Sequence, residues 1–391
     1  MILVSDTIIP SPNNFPFLDI PASLVEEMLS KTTQISNDLI NSFDTIKKKR
    51  HYFRSQLDRS EILGKDTEIK SHKNLTSCGI DGAFAIERLL GTDLLAIAAV
   101  GVEGLMSTYQ KGKWESPNHK VFIHPERHDP ENMIAARGLM IEMEINLAAS
   151  APYDLIFLDG SLTTGLIHMY KAIDFIEKRK SITANQIRDN YKDFLICYNK
   201  ILGSSDNNDK QWIGIPKYTS RNDIGDLFEW PTDYDDRAIL TLILNEGEYT
   251  IPKPFALREN WHKKLPTIDK DNDELEDLMV RVIEKIKELH VIYYKPYKWS
   301  PAIRIEISSS IANNNDRLSA LLQAIKNQCS IPSIMEPYPL YLADRMVKHI
   351  APAIPAYKQV LTRSMTEFEK DDENISNIIF IMHSYRTESG L

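Results

Sequence analysis

Cysteine is scarce in this chain, and the three present, Cys78, Cys197 and Cys329, are far apart and odd in number. None forms a CxxC pair, which removes a thiolate zinc cluster and a disulfide framework from consideration. A reducing, cytoplasmic setting is expected on that basis. Long apolar runs are missing as well: no stretch of about 18 apolar residues occurs, so no transmembrane helix and no membrane partner are expected. The start, Met1-Ile2-Leu3-Val4-Ser5-Asp6, has neither a basic n-region nor a long apolar h-region, so no secretory signal is expected. Positive charge is in deficit, with 46 Lys and Arg against 55 Asp and Glu and a formal net charge of −9. Such a surface does not attract nucleic acid as a whole. A nucleic-acid enzyme of this charge needs a local basic groove or a basic partner. Internal repeats and low-complexity linkers are also missing, which favours one elaborated domain over two.

What is present is enough apolar material for a large core, 42% of 391 residues. Residues 21–62 carry Leu24, Met28, Ile35, Leu39, Phe43 and Ile46 at roughly helical spacing and read as a helical arm, assigned to residues 1–70. Its run Lys47-Lys48-Lys49-Arg50 is the densest basic patch. It reads first as a solvated helix face and second as a phosphate contact. Cys78–Ile86 and Leu94–Val102 read as strands joined by a turn at Gly91-Thr92-Asp93, with Val121–His124 a third. A helix follows from about Glu131 to Ala149, then the fully apolar strand Leu155–Leu158, which reads as central in a sheet. Residues 163–203 read as a helical insertion, Trp212–Ile215 as a strand, and 234–246 and 270–289 as helices. Val291–Tyr294 and Ala302–Ile307 read as a hairpin, followed by helices at 309–328 and 341–350 and a tail over 361–391.

Two Asp-Gly steps stand at apolar strands: Ile80-Asp81-Gly82-Ala83 and Phe157-Leu158-Asp159-Gly160-Ser161. Alone, each reads as a common strand-ending turn. Together, with a Glu-bearing helix between them, they give the order of acids found in RNase H-like folds. Phosphodiester hydrolysis needs a nucleophilic water and a stabilised leaving oxygen, and two divalent ions about 3.5–4 Å apart supply both. Mg²⁺ and Mn²⁺ are hard ions that favour carboxylate oxygens. The helix offers Glu142 and Glu144. Glu142 is preferred, because it shares a stripe with Ala135, Gly138, Ile145 and Ala149 that is small enough to pack on a sheet. Glu144 lies beside Arg137 and Met140, with pairing to Arg137 as its alternative reading.

These segments resemble the NurA nucleases, and later segments extend the resemblance in order over about residues 75–350. They are Ile213-Gly214-Ile215-Pro216-Lys217, Asp236-Arg237 through Gly247-Glu248-Tyr249-Thr250, Arg304-Ile305-Glu306, and Tyr338-Pro339-Leu340-Tyr341-Leu342-Ala343-Asp344. The resemblance implies an α/β, RNase H-like mixed sheet flanked by helices, spanning residues 71–360. It implies Mn²⁺- or Mg²⁺-dependent DNA cleavage, 5′–3′ exonucleolytic and single-strand endonucleolytic, in end processing, repair or anti-phage defence. It also implies a homodimer working with a hexameric HerA-type ATPase. The metal acids would be Asp81, Glu142 and Asp159, with Asp344 as a further ligand and Tyr338 as a further catalytic residue. The first motif has Ala83 where Ser is more usual, and Asp344 stands where a His or Asp follows the Ala. The rivals are a degenerate subunit that only docks on the ATPase and an RNase H-like enzyme acting on RNA.

Other residues stay open. Lys217 follows a strand and reads equally as a functional lysine, in a phosphate contact or a nucleophile-orienting role, or as a surface lysine. Glu306 reads as a fourth acid or as a partner of Arg304. Tyr293, Tyr294, Tyr297 and Trp299, with Lys295 and Lys298, could stack on and hold single-stranded DNA. A hairpin packed on the core or at a dimer interface is the favoured reading of that group.

Overall fold

A computed structural model describes residues 20–69, 73–106, 111–177, 180–203, 209–218, 221–255 and 273–368. The chain divides into two compact units, Met1–Gln56 and Leu57–Leu391. The first holds α1 (Ala22–Ser30), α2 (Thr32–Ser42) and most of α3 (Asp44–Arg59). The single arm helix expected over 21–62 is therefore three. Ser30 and Ser42 hydroxyls donate to the Glu27 and Leu39 carbonyls (2.7 and 2.6 Å) at the two breaks. Such local bonds compete with helix continuation. Lys47, Lys48, Lys49 and Arg50 are exposed on α3.

The second unit is built on one ten-stranded sheet. Its strands are β1 (Leu63–Lys65), β2 (Ser77–Arg88), β3 (Thr92–Glu103), β4 (Asn118–Arg127), β5 (Leu155–Asp159), β6 (Gln211–Ile215), β7 (Glu248–Thr250), β8 (Lys253–Pro254), β9 (His290–Tyr294) and β10 (Ile303–Ile307). They run in the order β1-β7-β9-β10-β6-β5-β2-β3-β4, with β8 on β9. The β2-β3-β4 meander is antiparallel, whereas β5 lies parallel to β2 and β6 parallel to β5. This 3-2-1-4-5 core order is the RNase H-like arrangement, and it bears out the fold class. β1 lies in a segment assigned to the arm, yet it pairs with β7 in the sheet.

The helices are α4 (Asn132–Ser150), α5 (Thr164–Glu177), α6 (Ile182–Gly203), α7 (Gly225–Phe228), α8 (Asp236–Ile243), α9 (Asp273–Lys287), α10 (Ser309–Ala312), α11 (Asn315–Gln328), α12 (Tyr338–Lys348) and α13 (Ile350–Phe368). α13 covers the start of the segment read as tail, and residues 369–391 lie outside the described residues. Alternate residues of β2 face opposite sides of the sheet. On one side Gly79 admits α12: a Cβ there would stand 2.5 Å from the Leu340 nitrogen and the Pro339 carbonyl carbon. On the other, Gly82 lies against Met140 and Glu144 of α4. Beyond α4 lie α5 and α6, where Gly138 abuts Ala172 and Ile187.

Candidate active site

Asp81 sits in the middle of β2, and Asp159 ends β5. Because Ile80 pairs with Leu158 in parallel register, the two acids fall side by side. Asp344 comes from α12, which the glycine at position 79 lets approach the strand. Asp81, Asp159 and Asp344 each offer one carboxylate oxygen, and these oxygens lie within 4.8 Å of one another. All three line a cleft of about 570 Å³.

Lys217 stands among them. Its Nζ is 3.2 Å from Asp159, 3.1 Å from Glu336 and 3.2 Å from Asp344. Burial works against its charge, but Asp159, Glu336 and Asp344 raise its pKa above the ordinary lysine value. Arg237 holds the lysine's backbone by donating to the Lys217 carbonyl and, through Nε, to the Ala302 carbonyl at 3.1 Å. Lys348 adds a second cation, 2.7 Å from Asp344. Burial pushes Asp344 up, but its bonds from Lys348 and Lys217 leave its pKa below the usual value.

Asp81 is the opposite case. Burial, then the nearby Asp159, raises its pKa to about 7, with Lys217 opposing. Glu144 is buried, and burial followed by Asp81 and Asp159 holds its pKa well above the usual range. Glu336 is also raised, first by burial, with Lys217 opposing.

Of the two helix glutamates, the structure brings Glu144 to the cleft and not the Glu142 that the sequence favours. Glu144 lines the cleft and reaches over Gly82 toward Asp81. Glu142 points away and accepts bonds from Asn146 and from Asn190 of α6 (3.2 Å for the latter). The small stripe with Gly138 does pack closely, but on α5 and α6 and not on the sheet. α4 is buried on most of its circumference, so periodicity alone cannot say which side meets the strands. The alternative reading, Glu144 paired with Arg137, is not seen among the described residues; Arg137 lies over the Phe84 ring, 5.8 Å from its centre.

Other expected site residues are not brought in. Tyr338 is half-buried at the start of α12 and is not among the cleft-lining residues. Lys295 donates to the Thr241 carbonyl at 2.6 Å, and its backbone pairs with Glu248 at the β7–β9 end of the sheet. Lys298 is exposed in the loop after β9, beside Trp299 stacked on Tyr297 with ring centres 4.4 Å apart. Tyr293 and Tyr294 are fully buried, as a packed hairpin requires.

Glu306 resolves as a partner of Arg304. It is fully buried in β10 and forms an ion pair with Arg304, which also bonds Asp223 at 2.9 Å. The same carboxylate accepts from Ser161 Oγ at 2.8 Å and the Leu162 amide at 2.7 Å. Glu306 thus grips the loop that begins at Asp159. Sequence reading missed Glu336, Arg137 and His168. Glu336 had one signal, its place just before the Pro337-Tyr338-Pro339 start of α12.

A mixed sheet with this core order, bearing Asp81 and Asp159 on its two central parallel strands, defines an RNase H-like protein. The chain belongs to the NurA family: the NurA domain family model matches residues 32–349. No curated protein sequence matches it. The fold is similar to the crystal structure of the NurA nuclease from Sulfolobus solfataricus, at 16% identity and TM-score 0.55, covering 90% of this chain and 99% of that one. It is similar also to a crystal structure of NurA with manganese, at 13% identity and TM-score 0.51, covering 85% and 98%.

Proposed function

We propose that this chain is a divalent-metal-dependent deoxyribonuclease whose cleft acids hold Mn²⁺ or Mg²⁺. The observation that carries this reading is the convergence of the Asp81, Asp159 and Asp344 oxygens within 4.8 Å. The donor set fits the ion: it is all carboxylate, with no thiolate or imidazole among the three, which suits hard Mn²⁺ or Mg²⁺ better than zinc. Family membership and a NurA structure solved with manganese support the same metal. Asp81, Asp159 and Asp344 would be ligands, and Glu144 replaces Glu142 as the fourth acid. When bound, such ions make water a better nucleophile and offset charge on the leaving oxygen.

The chain's own residues do the rest. Lys217 spreads one positive charge over Asp159, Glu336 and Asp344, so that several carboxylates share one cleft. Glu306 fixes the Ser161–Leu162 backbone and with it the direction of Asp159. The raised pKa of Asp81 sets the pH above which its carboxylate is available as a ligand.

Finer parts of the proposal rest on the resemblance: two ions, 5′–3′ exonuclease and single-strand endonuclease activity, a homodimer, and a HerA-type ATPase partner in repair or anti-phage defence. The net charge of −9 supports a partner that delivers DNA. Among the described residues no helix is long and apolar enough to cross a membrane. The test is cleavage of single-stranded and duplex DNA with Mn²⁺, with chelator, and with Asp81→Asn and Asp159→Asn. Metal-dependent cleavage lost in both variants is expected; wild-type rates in either would overturn the site.

A further inference from the structure

The cleft holds three permanently charged cations, and they are not alike. Lys217 and Lys348 are both bound to carboxylates. Arg137 lines the same cleft, yet among the described residues no carboxylate pairs with its guanidinium, which rests on Phe84. An arginine left without an acid beside an acid cluster keeps its planar donors for an anion from outside. His168 of α5 lines the cleft near it, and burial, then Arg137 and Lys171, lowers the imidazole pKa to about 4. The ring is therefore neutral at pH 7 and can serve as a hydrogen-bond donor beside Arg137. The first residues of α5, Thr164 and Gly165, also line this wall, so the positive end of the helix dipole faces it.

We propose that Arg137, assisted by His168, binds a backbone phosphate of the substrate strand that flanks the scissile one. The position follows from α4. Arg137 and Glu144 both line the cleft and are seven residues apart on one helix. At 1.5 Å per residue this is about 10 Å along the axis. With nucleotides rising about 3.4 Å each in duplex form, and more when stretched, the offset is roughly one to three nucleotides from the acids. Arg137 is thus a substrate-positioning residue, distinct from the metal ligands. Its lack of an acid partner explains how an acidic cleft can still seat a polyanion.

This inference rests on the nuclease reading, and its test separates the two. The substrate is a short single-stranded oligonucleotide, measured with Mn²⁺ for cleavage and by anisotropy for binding. Arg137→Met keeps an apolar stem over Phe84. It is expected to raise KM and Kd about ten- to hundredfold, the loss of one charge-assisted hydrogen-bonded contact, with kcat within about threefold. The slope of log K against log salt should fall by about one. A neutral methylphosphonate placed at successive positions should weaken wild-type binding sharply at one flanking position and leave Arg137→Met unaffected there. Arg137→Lys should restore part of the affinity, and His168→Gln should show a smaller KM rise. A merely structural role would lower the melting temperature without removing the methylphosphonate position effect. Wild-type cleavage with an unchanged KM, Kd and salt slope in Arg137→Met overturns this inference alone. A wild-type protein that neither cleaves nor binds DNA overturns the nuclease reading and this inference with it.

Discussion

Two ionic clusters meet at the loop beginning with Asp159, and they are built on opposite principles. In the cleft, Asp81, Asp159, Glu336 and Asp344 surround Lys217, and the group is partly open, with Lys217 and Asp159 side chains 25% and 21% exposed. Acids outnumber the cation, so several carboxylates are held near one another against their mutual repulsion. On the other side of the loop, Arg304, Asp223 and Glu306 are sealed, at 1%, 4% and 0% side-chain exposure. There, Arg304 pairs with both acids, and hydrogen bonds from Ser161 and Leu162 complete the acceptor sites of Glu306. The open cluster is arranged to receive charge, and the sealed one is arranged to hold backbone. A buried pair tolerates its desolvation only when its remaining bonds are satisfied, which is the condition Glu306 meets.

The largest effects test the open cluster. Asp81→Asn, Asp159→Asn and Glu144→Gln should each reduce Mn²⁺-dependent cleavage to the level of a no-enzyme control. Glu142→Gln, on the far side of α4, should stay within about threefold of wild type, since it alters a bond to Asn146 and Asn190 and not the cleft. Rates on a labelled oligonucleotide decide it. If Glu142→Gln is dead and Glu144→Gln active, the placement of α4 is wrong.

The sealed cluster should show itself in stability. Glu306→Ala leaves Arg304 with Asp223 as its one acid partner and strips two bonds from the Asp159 loop, so it is expected to destabilise the fold by about 3–5 kcal/mol. Urea unfolding followed by circular dichroism measures this. A loss below about 1 kcal/mol would mean that the cluster contributes little beyond filling space.

Acidity separates the clusters in sign. The Asp81 pKa is raised to about 7 by burial and Asp159, against about 3.9 for an unfolded aspartate. A raised folded pKa contributes stability that is fully present below about pH 4 and lost as pH rises through about 7. In chelator, the protein should therefore lose melting temperature between pH 5 and pH 8, and Asp81→Asn should flatten that loss. Removing an acid from the open cluster then stabilises at pH 8, whereas removing one from the sealed cluster destabilises. Mn²⁺ affinity should weaken as pH falls below about 7, by up to tenfold per unit, because protons compete for the ligand. Calorimetric titration at pH 6, 7 and 8 checks it; a flat affinity would exclude Asp81 as the ligand.

The contrast also shows what the sequence made legible. Asp81 and Asp159 could be read because apolar runs mark strands and the two acids share one local pattern. The parallel register of β2 and β5 then puts them together. The RNase H-like fold class was legible from the order of strands, helix and acids together with the family resemblance, whereas the strand order of the sheet was not read. Glu144 could not be chosen, because α4 is buried on nearly all sides and its small-residue stripe fits helices as well as a sheet. Glu336 and Lys217 could not be joined to the site, because the close approach of α12 at Gly79 is a matter of distance between segments far apart in the chain. Lys217 and Glu306 each carried two readings in the sequence, and only their partners separate them.

The smallest effect concerns the lysines on the hairpin loop. Lys295 donates its ammonium to the Thr241 carbonyl, which anchors the loop after β9 to the end of α8. Lys298 is exposed beside the stacked Tyr297–Trp299 pair. Neither is among the residues lining the cleft, so neither should feel a phosphate bound there. Lys298→Ala is expected to change KM for a short oligonucleotide by less than about twofold, as surface substitutions usually do. Lys295→Ala should cost about 1 kcal/mol of stability through its lost backbone bond, with cleavage retained. A tenfold KM rise in Lys298→Ala on long single strands, absent on short ones, would extend the DNA path beyond the cleft to Trp299. It would then restore the stacking role that the buried tyrosines of the same hairpin argue against.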